Sequence, residues 1–195
     1  MKKLSLALAI SALTVCAAHA ISITEYIEKF GPVKERNGVI NLVDKDLTSL
    51  NGIELITKEP ETIKAIDLSN NKLISISASQ IEIFPNLERL NLSDNQLTSF
   101  PSLKLPKLKK LKIKQNNIEI LSDLDLPELR KLKAGNNPIH TLSNLNFPKL
   151  KKLKLKGNKL SKIYKVNVPS GTKIKVGGPA KALFVEIDVT AENIK

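Results

Sequence analysis

The sequence predicts a curved α/β-type solenoid with short parallel strands on its concave face, and three observations support this. An eleven-residue pattern, LxxLxLxxNxL, occurs at residues 87–97, 108–118, 129–139 and 150–160. Its period is 21 residues in all four cases. Prolines also recur at one phase of this period, between the patterns. A unit of this length that repeats in tandem is typical of a chain that stacks turn on turn.

Leucine alternates with a polar residue at the centre of each pattern, as in "LKKLKLKGNKL" at residues 150–160. A period of two indicates a strand with one buried and one solvated face. A basic amphipathic helix at a membrane surface would need a period near 3.6 and is excluded by this alternation. The lysines of these segments are therefore expected to be solvated on the concave face.

Three further segments extend the repeat to about seven turns. Residues 63–73 fit the pattern, and residues 37–47 fit it with Lys45 at the Asn position. Residues 171–180 keep the period but have Pro179 there. We expect the terminal turns to be distorted at these two departures.

The Asn of each pattern follows its strand, where the chain must bend. An Asn side chain carries both a donor and acceptors, so it can satisfy backbone groups left unpaired at the bend. Stacked turns would align these side chains as a buried structural ladder, which consists of Asn71, Asn95, Asn116, Asn137 and Asn158.

The segments between the patterns are predicted to be mostly non-helical. Pro106, Pro127 and Pro148 stand at one phase and would interrupt a helix. Extended, polyproline or short 3₁₀ segments are expected on the convex side. The longer gap between Leu73 and Leu87 leaves room for one or two helical turns.

These repeats resemble the leucine-rich repeat family over roughly residues 37–178. The resemblance implies a parallel-sheet arc with one strand per turn, and its commonest use is protein recognition. The 21-residue period and the cysteine-free caps are similar to bacterial exported members.

The two ends are predicted to have other roles. Residues 1–20 combine "MKK", an apolar stretch and "AHA", which is typical of a secretory signal peptide cleaved after Ala20. The product would be periplasmic or secreted. A lipoprotein at Cys16 is disfavoured because Val15 precedes it.

Caps are expected on both sides of the repeats. Residues 21–36 form the predicted N-terminal cap, with a short amphipathic helix that Gly31 and Pro32 end. Its apolar face consists of Ile23, Tyr26, Ile27 and Phe30. Residues 179–195 form the predicted C-terminal cap, with a strand at 181–189.

The residue inventory argues against an enzyme. Signal cleavage would remove Cys16, the only cysteine, and would leave His140 as the only histidine. Cys–His catalysis and Cys/His zinc sites are thereby excluded, and no cofactor or metal is expected. His140 is interpreted as a surface turn residue. The acidic residues Asp123, Asp125 and Glu128 are expected in a convex loop beside Pro127 and are interpreted as solubilising.

Lysine fills the polar strand positions of the last four turns, in three columns. The first three turns have Ala, Asp, Ser, Asn and Val at most of these positions, so charge segregates along the arc. A flanking column holds Lys109, Arg130 and Lys151. The candidate ligand-binding residues are Lys110, Lys112, Lys114, Lys131, Lys133, Lys152, Lys154, Lys156, Lys173 and Lys175.

The net charge of +12 and these columns predict an anionic partner. We expect a monomeric, non-catalytic module that binds an acidic protein surface. A polyanion is the alternative: lipopolysaccharide, acidic polysaccharide, phospholipid headgroups or, least favoured, nucleic acid, because the columns lack stacking rings. A lysine-rich composition with no binding role is the remaining interpretation.

Overall fold

The computed structural model describes residues 21–177, and these residues form a solenoid with two parallel sheets. The larger sheet has seven strands in the order β1–β2–β3–β4–β6–β8–β10. The smaller sheet, on the convex side, has the order β5–β7–β9. In chain order the strands are β1 (Val39–Asn41), β2 (Ala65–Asp67), β3 (Arg89–Asn91), β4 (Lys110–Lys112), β5 (Ile120–Asp125), β6 (Lys131–Lys133), β7 (Thr141–Asn146), β8 (Lys152–Lys154), β9 (Lys162–Asn167) and β10 (Lys173–Lys175).

The larger sheet confirms the predicted arc and its repeat phase. Leu111, Leu132 and Leu153 are the central residues of β4, β6 and β8, and they stand opposite one another in the parallel register. All three are buried. A single three-residue strand cannot bury its leucine alone, so neighbouring turns stabilise each other by completing one shared core.

The smaller sheet was not foreseen. Its segments are extended, as predicted, but they also pair with one another in parallel register. Asp123, Asn144 and Lys165 have positive φ angles of 56°, 50° and 51° in the middle of these strands. This kink lets Leu121 and Leu124, three residues apart, both reach the core. A search of the sequence for strictly alternating buried and exposed residues therefore does not detect these strands.

The helical elements lie in the early turns. Helix α1 (Ile23–Phe30) begins at a capping box between Ser22 and Glu25. Helix α2 (Ala78–Glu82) occupies the longer gap predicted to contain helical turns. Short 3₁₀ segments lie at Ile53–Leu55 and Pro60–Thr62.

Helix α1 packs on the first turn, but its apolar face is shorter than predicted. Ile23 is buried, and Tyr26 and Ile27 pack partly against the core. Phe30, the last residue of the helix, is 60% exposed. Its ring lies against Tyr26 instead, with ring centroids 5.0 Å apart.

The predicted signal peptide (1–20) and C-terminal cap (179–195), with its strand at 181–189, lie outside the described residues, and the domain boundaries stay predictions. Within residues 21–177, no helix has the length and apolar character needed to cross a membrane.

Candidate anion-binding face

The sheet register aligns the lysines in columns. Strands β4, β6, β8 and β10 pair so that equivalent residues stand opposite one another. The first column is Lys110, Lys131, Lys152 and Lys173, and the second column is Lys112, Lys133, Lys154 and Lys175. Lys114 and Lys156 follow their strands in a third column, with Gly135 between them. We call these ten lysines the basic face.

The basic face is less solvated than the sequence suggested. Lys110, Lys131 and Lys152 are half-buried, as are their second-column neighbours on the same strands, whereas Lys173 and Lys175 at the end of the sheet are exposed. Lysine stems lie along neighbouring side chains while the ammonium groups reach water. The stems in the middle of the face are therefore partly covered, which the alternation pattern did not predict.

The lysines perturb one another's ionisation. Burial, followed by the charges of Lys112 and Lys131, lowers the pKa of Lys110. Burial, followed by the charge of Lys154, lowers the pKa of Lys133. These shifts are the expected consequence of holding like charges together on a partly desolvated surface.

Few of these charges are neutralised by acidic side chains within residues 21–177. Among the described residues, Lys114 is the only member of the basic face with an ion pair, at 3.1 Å from Asp94. In the flanking column, Lys109 pairs with Glu88 at 2.9 Å, and this contact lowers the pKa of Glu88. Both acids lie at the edge of the face nearest the early turns, so its centre is unpaired within the part of the chain that the structure describes.

A groove of about 910 Å³ runs along the edge of the sheet where the strands begin. Eight of its described lining residues are basic and none is acidic. It is lined by Lys109, Lys110, Arg130, Lys131, Lys149, Leu150, Lys151, Lys152, Pro169, Gly171 and Lys173. We call it the basic groove. It includes the first column and the flanking column, but none of the second-column lysines.

The predicted Asn side chains link successive turns. The Asn116 side chain donates to the Leu92 and Ile113 carbonyls and accepts the Leu97 N–H at 2.9 Å. The same contacts recur at Asn71, Asn95, Asn137 and Asn158.

Lys45 does not distort the first turn as we expected. The Asn71 side chain, from the next turn, accepts the backbone N–H groups of Lys45 and Leu47, each at 3.0 Å. Strand β1 accordingly pairs in register with β2. The other departure, Pro179, lies outside the described residues.

The convex acids are placed differently from the prediction. Asp123 and Asp125 belong to β5 rather than to a loop, and they accept hydrogen bonds from Asn144 (2.8 Å) and Asn146 (2.9 Å). The Asn144 contact lowers the pKa of Asp123. Glu128 does follow the strand and pairs with Lys149.

His140 and the described acidic side chains do not form a metal-binding cluster. His140 is half-buried, with its Nδ1 2.8 Å from the Thr141 hydroxyl. Across residues 21–177, no three His, Cys, Asp or Glu side chains come together in a group that could hold a metal.

Two solved structures resemble the fold of this chain. The leucine-rich repeat domain of LRIM1 matches 73% of the chain at 21% identity, with a TM-score of 0.51. The leucine-rich repeat domain of APL1B matches 68% at 24% identity, also with a TM-score of 0.51. At this identity the likeness shows the fold. The chain covers only 56% and 40% of the lengths of these two structures.

The repeat sequence gives an independent match. Residues 85–126 match the family model described as Leucine Rich repeats (2 copies). Residues 85–126 are therefore leucine-rich repeats, and the described chain has the leucine-rich repeat fold. No curated protein matches it in sequence. Leucine-rich repeat domains generally mediate contacts between proteins, whereas the basic face and basic groove are features of this particular chain.

Proposed function

We propose that this protein is a non-catalytic recognition module that binds an acidic partner protein through its basic face. The observation that supports the proposal is the in-register stacking of lysines on four successive strands, with a single ion pair among the ten within the described residues. Acidic side chains of a partner would supply the counter-charges that the described chain does not place there.

The energetics favour a binding role over a merely solvated face. Neighbouring strands lie about 4.8 Å apart. Two like charges at that distance repel by roughly 0.9 kcal/mol in water before salt screening. A complementary acidic surface would relieve this repulsion and would also accelerate encounter, with a strong dependence on ionic strength.

A pull-down tests the proposal. The chain from Ile21 onward is immobilised as wild type, as the triple variant Lys112→Glu, Lys133→Glu, Lys154→Glu, and as the control Lys104→Glu, Lys107→Glu, Lys162→Glu. Both variants change the net charge equally, but the control residues lie away from the basic face. Lys149, although also convex, is avoided because it lines the basic groove.

Wild type and the control should capture an acidic protein at low salt and release it as salt rises. The basic-face variant should lose at least about tenfold in capture, while its melting curve remains that of a folded protein. Equal capture by all three would refute the proposal. If the captured material is polysaccharide or phospholipid, the polyanion alternative replaces the acidic protein.

We further propose that the protein is exported to the periplasm or the medium, on the strength of the signal-peptide pattern in residues 1–20. In a bacterial host, the intact mass of the exported product should match a chain that starts at Ile21. A product that retains Met1 would contradict this proposal.

A further inference from the structure

Gly171 stands where the preceding turns have a buried leucine. The 21-residue period places it after Leu108, Leu129 and Leu150, all of which are buried. Apart from Gly171 and its two chain neighbours, no heavy atom of the described residues lies within 4 Å of the position that a Cβ at Gly171 would take. Its φ lies outside the left-handed region, so this backbone would accept a side chain. Gly171 lies exposed in a turn, so the last turn lacks one leucine side chain and leaves an open gap at the surface.

The gap opens into the basic groove. Leu150 and Pro169 line the groove beside Gly171 and give it an apolar wall. Lys152 and Lys173, which are opposite each other in register, lie at the same end of the groove. An apolar notch thus adjoins a row of positive charges.

We propose that the basic groove binds an acidic peptide segment carrying one apolar side chain, which fills the gap at Gly171. This inference rests on the proposed function, because it assigns the acidic partner's contact segment to one place on the same surface. Charge complementarity supports it, since the described lining is basic and apolar. Four strands span roughly 14 Å, which is the length of four to five residues of extended peptide.

The inference predicts a preference that charge alone would not produce. A labelled heptapeptide with one leucine between two runs of three glutamates should bind wild type about tenfold more tightly than the same peptide with a central alanine, because the leucine is buried. Gly171→Leu should bind both peptides equally, at the alanine level, because its own side chain fills the gap. Gly171→Ala should reduce the preference only in part.

Two variants serve as controls. Ser170→Leu adds the same side chain at the neighbouring exposed position and should keep the preference. Lys131→Glu with Lys152→Glu should weaken both peptides together. Melting curves identify any variant that fails to fold, and Gly171→Ala then provides the decisive comparison.

The other outcomes overturn the inference in distinguishable ways. If peptide binding requires Lys131 and Lys152 but shows no preference for leucine, the apolar notch is rejected as a binding site. The proposed function would still stand. If neither peptide binds, the notch is rejected, and the pull-down decides the proposed function separately. If wild type binds phosphatidylglycerol vesicles but not the peptides, and Gly171→Leu does not bind the vesicles, the gap would be assigned to a lipid instead.

Discussion

Lys131 and Lys152 occupy the same register position on neighbouring parallel strands, and the charge of Lys131 is the largest cause of the lowered pKa of Lys152. The next contribution comes from Lys154, on the same strand as Lys152. Two like charges at directly opposed positions destabilise a sheet. The leucine core beneath them holds this arrangement in place.

Added salt should therefore stabilise the wild-type protein. Sodium chloride screens the repulsion between exposed charges, and the screening length falls from about 1 nm to a few ångströms as its concentration rises. We expect the melting temperature to rise by about 2–4 °C between low and high salt. The variant Lys112→Glu, Lys133→Glu, Lys154→Glu should show a smaller rise, because it reduces the net positive charge of the basic face and places each glutamate beside a first-column lysine of the same strand. An equal rise in both proteins would mean that the effect of salt does not come from the basic face.

Alkaline pH should have the same stabilising effect. Lys110, Lys133 and Lys152 have pKa values below the usual 10.5 in the folded protein. As pH rises toward 10.5, the unfolded chain holds more protons at these residues, so the free energy of unfolding increases. Replacement of the three lysines by glutamine should remove this increase. Melting curves at several pH values between about 8 and 10 would measure it.

Glu88 and Glu128 provide a dependence of the same sign at acid pH, where stability also rises with pH. Their pKa values are lowered by the ion pairs with Lys109 and Lys149. The stabilisation from these pairs is present above the usual glutamate pKa and is lost as pH falls through the folded value. It does not overlap with the alkaline range.

Asn116→Ala should destabilise the protein by about 1–3 kcal/mol, because backbone groups of two turns would lose buried partners. Asn117→Ala is the matched control, since the neighbouring Asn117 side chain is exposed. Urea unfolding would give both free energies. If Asn116→Ala unfolded at the same urea concentration as wild type, the ladder would have no role in stability.

The repeat phase could be predicted because leucine at a fixed period has only one buried placement. Leu111 and Leu132 must face the core whatever the intervening residues are, so the positions of Lys110 and Lys112 follow by alternation. The column register is a direct consequence of equal repeat lengths in parallel strands.

The basic groove could not be predicted in the same way. Lys149 precedes its strand by three residues, and its place depends on how the convex segment returns to the sheet. The smaller sheet was also not predictable, since the left-handed backbone of Lys165 in β9 is a conformation that lysine rarely adopts and that its residue type does not signal. The sequence shows that Gly171 replaces a leucine of the pattern. The proposed role of this replacement in binding follows only from the position of the basic groove.

The turns contain a left-handed residue before each Asn of the ladder, and residue type predicts this conformation only in part. A substitution at Gly157 tests it. The residue before each Asn of the ladder has a positive φ, which is 53° at Gln115 and 55° at Asn136. Gly157 has a φ of 85°, and a Cβ there would lie 2.2 Å from the Asn136 Oδ1 and 3.2 Å from its backbone nitrogen.

Gly157→Ala should therefore destabilise the protein by about 1–2 kcal/mol, from the cost of a left-handed non-glycine residue, in addition to displacement of the Asn136 side chain. Gln115→Ala is the control, because Gln115 already carries a Cβ at the equivalent position and the change should stay within about 0.5 kcal/mol. Urea unfolding of the two variants beside wild type would measure both effects. If Gly157→Ala is as stable as wild type, the turn accepts a side chain at this position. Glycine would then not be required for the close approach to Asn136.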